Sequence, residues 1–112
     1  MPIAMVHDVI REAEIRSFVD RGATIIVVAT DEPRRATSGL AGRWEIRAER
    51  DGDRRSLVTS RDPSRPRLFK TLAGLVSFLS ELGFEPISVP MRKGSEARLE
   101  AAPRAVSMRR TA

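Results

Sequence analysis

The apolar positions change their period several times along the chain, and each change predicts an element. Ile3, Val6, Ile10 and Ala13 recur at helical spacing, with Ile15, Phe18 and Val19 widening the same surface. Pro2 is tolerated in a first turn, where its missing N–H would be unpaired anyway, and Arg21-Gly22 supplies a basic last turn and a glycine stop. The spacing predicts a helix over about residues 3–21. Residues 24–29 are a short, nearly unbroken β-branched run, which predicts a strand buried on both faces. Residues 31–42 hold Pro33, Thr37, Ser38, Gly39 and Gly42 and predict a loop.

Trp44, Ile46 and Ala48 then alternate with Arg43, Glu45, Arg47 and Glu49, the period of a strand with one wet face. Asp51-Gly52 suits a tight hairpin turn because both positions tolerate positive φ, and residues 54–60, centred on Leu57 and Val58, are the return strand. Residues 61–67, with Pro63 and Pro66, form a stiff basic connection. Thr71 is placed to cap a second helix in which Leu72, Leu75, Val76, Leu79 and Leu82 share a face, and Gly83 ends it. Residues 84–91 predict a last strand with Ile87, Val89 and Met91 on one side. Pro86 and Pro90 confine it to a sheet edge.

From Arg92 onward the apolar residues are mostly alanine. The expected organisation is therefore one α+β domain over residues 1–91, followed by a basic C-terminal tail, 92–112, that is disordered or weakly helical. Its fold class is a small mixed sheet of about four strands with two helices, in the order α-β-β-β-α-β.

A chain of 112 residues has room for a single modest core. It contains no cysteine, which excludes disulfides and thiolate chemistry and fits a reducing compartment. Residues 1–10 lack the long apolar run of a secretory signal, and the longest apolar stretch is too short to cross a bilayer. The expectation is a soluble, cytoplasmic protein without a membrane partner.

Catalytic constellations are missing. His7 is the one histidine, and no Cys, Asp or Glu stands at a spacing that completes a metal site around it. No serine has a second base available, Asp51 and Asp53 flank a turn followed by Arg54-Arg55, and the glycines at 39 and 42 lack the Lys-Ser/Thr of a phosphate loop. The chain is expected not to be an enzyme and to need no cofactor.

Charge adds the functional pointer. The net charge is +5, yet residues 1–53 are mildly acidic, with eight Lys/Arg against ten Asp/Glu. Residues 54–70 carry six cations against one carboxylate, and residues 92–112 carry six against two. Arg54, Arg55, Arg61, Arg65, Arg67 and Lys70, together with Arg43 and Arg47 on the preceding strand and Arg92 and Lys93 in the tail, are the candidate nucleic-acid contacts. If they share a face, phosphate binding follows, and the strands carrying Arg43, Glu45, Arg47 and Glu49 can present side chains to a major groove. The competing reading is a solvated strand face beside a basic loop, its glutamates pairing across strands. The few aromatics (Phe18, Trp44, Phe69, Phe78 and Phe84) read as core residues rather than base-stacking platforms, which favours duplex DNA over single strands.

Arg67, Phe69, Lys70, Leu72, Leu75, Phe78, Leu79, Leu82 and Gly83 follow the pattern R-x-F-[KR]-x-L-x-x-L-x-x-[FY]-L-x-x-[IL]-G. In this the chain resembles small plasmid partition-associated proteins of the ParC type, which are distinct from the topoisomerase subunit of that name. The likeness spans roughly residues 42–110 and is specific over 67–89, and the chain departs from the pattern at Pro86 and Pro90. It implies a non-enzymatic role in plasmid or mobile-element maintenance beside a partition or regulatory protein, and it assigns no functional residues. Candidate partners are thus duplex DNA, such a protein, or a second copy of the chain. The alternative is an adaptor or antitoxin-like module docking through the edge at 84–91 and the tail.

Overall fold

The computed structural model describes residues 9–37 and 39–100. The chain runs β1 (Val9–Arg11), α1 (Glu12–Asp20), β2 (Thr24–Ala36), β3 (Gly39–Arg50), β4 (Asp53–Val58), β5 (Phe69–Thr71), α2 (Leu72–Glu81) and β6 (Glu96–Glu100). The strands form one mixed sheet in the order β1-β4-β3-β2-β6, with β5 beside β4 along the same edge of β3. The coarse expectation of a small α+β fold with two helices and a mixed sheet holds, but the sheet has six strands and a different order.

The first correction is at the N-terminus. Val9–Arg11 is a strand, parallel to β4 with Ile10 opposite Leu57, and the helix begins only at Glu12. The Glu14 carboxylate accepts the Arg11 backbone N–H at 3.0 Å, and Glu12 and Glu14 place negative charge in the first turn, where the helix dipole favours it. Residues 3–8 of the expected helix lie outside the described residues. Ile15, Phe18 and Val19 are buried, and Gly22, at φ +100°, takes the left-handed conformation that ends the element.

The second correction is the expected loop at 31–42, most of which is strand. Strand β2 continues to Ala36 and β3 starts at Gly39, making a long antiparallel hairpin. Pro33 cannot donate to a ladder, and the register shifts between Ala29 and Asp31 and again between Asp31 and Arg34. These bulges absorb the proline, and pairing resumes with Arg34 opposite Ala41. Gly42 permits the hairpin to lie against its own tryptophan. A Cβ there would stand 3.0 Å from Trp44 Cη2 and 3.3 Å from Pro33 Cα.

Residues 84–91 form no strand, which is the third correction. The segment wraps the sheet instead, with Phe84 and Pro90 buried and Ile87 and Val89 packed on the core. The Pro90 carbonyl accepts the buried Trp44 indole N–H at 2.9 Å, satisfying a donor that would otherwise be stranded in the core. The true edge strand is β6, inside the stretch expected to be a disordered or weakly helical tail. It pairs antiparallel with β2, Leu99 opposite Ile25, so the sheet extends past the expected boundary at residue 91. Residues 101–112 of that tail lie outside the described residues.

The hairpin turn and second helix match their sequence signals. Asp51 and Gly52 have φ of 53° and 82°, and Thr71 Oγ1 accepts the Gly74 N–H at 3.1 Å. Both helices lie on one face of the sheet. Ile15, Phe18, Leu75 and Leu79 join Ile25, Val27, Trp44, Ile46 and Leu57 in a single apolar cluster. Ile26 and Val58 are buried on the other face, where the register sets Ile26 between Arg47 and Arg98.

Candidate functional site

Neighbouring residues on a strand point to opposite faces, so Arg54 and Arg55 part company at once. Arg54 stands on the helix-free face opposite Glu49 and pairs with it at 3.7 Å. Glu49 also pairs with Arg98, and hydrogen bonding from Arg98 is the main reason its carboxyl is held below the usual carboxylate range. Arg47 pairs with Glu45 at 3.4 Å on the same face, and its Nη1 is buried with no partner among the described residues. This face is a set of charge pairs, within β3 and across strands, rather than a basic surface.

Arg55 turns toward the helices. Its guanidinium lies 4.9 Å from the Phe18 ring centroid and pairs with Asp53 at 2.9 Å. Arg67 does the same further along, stacking 4.6 Å from the Phe69 ring centroid and 5.9 Å from that of Phe78, and pairing with Glu12 of α1. These two arginines fasten helix to sheet. Cation–π contacts and half-buried ion pairs of this kind give each roughly 1 kcal/mol or somewhat more.

Arg65 is tied within its own loop. It pairs with Asp62 at 3.3 Å, and Asp62 accepts the Ser64 hydroxyl and backbone N–H, which lower its pKa most. Arg61 is exposed on this same connection. The connection folds back on β4 through Arg67 N–H to the Leu57 carbonyl and a bridge between Val58 and Pro66. The structure therefore does not bring the candidate arginines of residues 54–67 onto one surface.

A different set of cations stands around the far end of the β2–β3 hairpin, on both of its faces. β4 pairs with β3 only over Arg47–Arg50, and β6 pairs with β2 only over Thr24–Val28, so the far half of the β2–β3 hairpin runs on beyond both. That half carries Arg34, Arg35 and Arg43. It is flanked on one edge by β5, with Lys70, and on the other by the turn holding Arg92 and Lys93. The turn is pinned to β2, since Gly94 N–H donates to the Ala29 carbonyl at 2.7 Å and Lys93 N–H to Glu32 Oε2 at 3.0 Å.

Among the described residues, none of these six side chains has an ion pair or hydrogen bond. All six residues are exposed. The carboxylates of this region are Asp31 and Glu32, and each accepts a backbone N–H. Four of the six, Arg43, Lys70, Arg92 and Lys93, are sequence candidates. Arg34 and Arg35 were missed because Pro33 and the glycines around them signal a loop. Their signal was the adjacent Arg-Arg pair itself.

Two grooves lie elsewhere among the described residues. One of about 300 Å³ lies between α1 and β4, lined by Ile10, Ser17, Phe18, Arg21 and Arg55, and one of about 260 Å³ lies beside Phe84 and Ile87. Among the described residues no group of His, Cys, Asp and Glu is arranged to hold a metal ion, and no helix is long and apolar enough to cross a membrane. No family model, curated protein or solved structure matches the chain.

Proposed function

We propose that this chain is a non-enzymatic binding module that engages duplex DNA through the far half of the β2–β3 hairpin. The observation that carries the reading is the separation of its cations. In the near half of the sheet Arg47, Arg54, Arg55 and Arg98 are paired with carboxylates and Arg50 donates to the Arg21 carbonyl, whereas Arg34, Arg35, Arg43, Lys70, Arg92 and Lys93, around the far end of the hairpin, are exposed with no side-chain ion pair or hydrogen bond among the described residues. Unpaired guanidinium and ammonium groups meet phosphates without first breaking an internal ion pair, and they release counterions from the duplex as they do so. The resemblance of residues 67–89 to ParC-type partition-associated proteins supplies the setting, an accessory role in plasmid or mobile-element maintenance.

Fluorescence anisotropy with a labelled duplex at 50 and 200 mM salt tests this. Six phosphate contacts lower affinity by roughly 10³-fold across that range. Binding that is absent at both salt concentrations, or insensitive to salt, contradicts the proposal.

A second reading, a protein adaptor, is supported by β6, whose one strand neighbour among the described residues is β2. A partner strand added to its free edge would extend the sheet by main-chain hydrogen bonds. Its mark is stoichiometric co-purification of a protein, abolished by Leu99→Pro and not by loss of the hairpin cations.

A further inference from the structure

The register of the β2–β3 hairpin determines which side chains its end can present to a duplex. Over Arg35–Ala36 and Gly39–Leu40 no further strand pairs with the hairpin among the described residues, so its end is a ribbon two strands wide, with Arg34 and Ala41 at its base where Thr71 of β5 joins. Residues paired across an antiparallel ladder share a face, and neighbours along a strand alternate. Arg34 is opposite Ala41 and Ala36 is opposite Gly39, so one face of this end carries Arg34 on a floor of two alanines and a glycine, with Thr71 of β5 beside Ala41. Arg35, opposite Leu40, stands on the other face.

We infer that this ribbon lies in the major groove of B-form DNA with the Arg34 face toward the base pairs. The inference rests on the DNA-binding reading above. Strands about 4.8 Å apart make a ribbon that fits a groove about 12 Å wide and not one of about 6 Å. The small residues around Arg34 permit the backbone to approach the groove floor, and a planar guanidinium there matches the O6 and N7 acceptors of guanine in a bidentate pair. Arg35, Arg43, Lys70, Arg92 and Lys93 then meet the flanking phosphates, which position the ribbon without reading sequence.

Binding of the full chain to alternating G·C and alternating A·T duplexes of equal length tests the inference, in the presence of methyl green, which occupies the major groove, or netropsin, which occupies the minor groove. The expected result is competition with methyl green alone and a preference for the G·C duplex of about 5-fold or more. Arg34→Lys, which keeps the charge and loses the fork, removes that preference while A·T affinity stays within about 2-fold. Salt-dependent binding that competes with netropsin, or that is unchanged in sequence preference by Arg34→Lys, overturns the groove assignment and leaves the DNA reading standing. Failure to bind either duplex, with capture of an acidic polypeptide such as polyglutamate instead, overturns both.

Discussion

The near and far halves of the β2–β3 hairpin belong to the same two strands and handle charge in opposite ways. Around the near half, Arg47 of β3, Arg54 of β4 and Arg98 of β6 share Glu45 and Glu49 on the helix-free face, Arg55 of β4 is held by Asp53 and Phe18 on the other, and Arg50 donates to the Arg21 carbonyl. In the far half, Arg34, Arg35 and Arg43 stand exposed, with no side-chain partner among the described residues. Trp44 marks the boundary, paired with Ala29 and Phe69 and hydrogen-bonded to the Pro90 carbonyl. The difference teaches that a cation's density along the chain says little about its availability. Availability depends on whether the fold delivers a carboxylate to it.

The largest expected effect comes from the boundary. Trp44→Ala opens a cavity in the core and strands the Pro90 carbonyl, costing about 3–5 kcal/mol in a urea melt and unsettling both halves together. Next comes the far half alone. The triple change Arg34→Ala/Arg35→Ala/Arg43→Ala weakens duplex binding on the order of 10²-fold near physiological salt and leaves the unfolding midpoint nearly unchanged. Arg67→Ala reverses that pattern. It loses the Glu12 pair and the stacking on Phe69 and Phe78, costing about 1–2 kcal/mol of stability, with duplex affinity unaltered.

The smallest effect is in the pH dependence of the near half. Glu49 is held below its ordinary pKa chiefly by its hydrogen bond from Arg98, so the folded state binds that proton less readily than the unfolded state. Its contribution is complete above the ordinary carboxylate range and is lost as pH falls through the depressed folded value. Glu49→Gln is therefore expected to flatten the acid side of the stability profile and to leave its slope at neutral pH unchanged, as read by thermal melts across pH.

Much of the fold could be read from local signals. Asp51-Gly52, the Thr71 cap, Gly83 and the β-branched run from Thr24 each carry their structural cause within a few residues. What could not be read depends on distant partners. Ile10 fits a helix stripe as well as a strand, and only β4, far along the chain, selects the strand. Ala97 and Leu99 give too weak an alternation to announce β6 until β2 offers an edge. Pro33 disguises a strand because two bulges accommodate it.

The candidate site was legible in the same partial way. Arg43, Lys70, Arg92 and Lys93 were found from charge alone, but nothing in the chain order shows that they flank Arg34 and Arg35. The partners that neutralise Arg67 and Arg98 are Glu12 and Glu49, each supplied by a remote element. Sequence clustering of residues 54–67 therefore overstated that segment and passed over the hairpin end.

The most direct test is the slope of log affinity against log salt for duplex binding, compared between the far-half triple variant and Arg54→Ala/Arg67→Ala. Removal of these three cations, two of them on phosphates, is expected to make the slope shallower by about 2, and removal of two paired arginines to leave it as in the parent chain. Equal slopes in the parent and the far-half variant, or a shallower slope in the paired-arginine variant, contradict the separation of structural from binding cations.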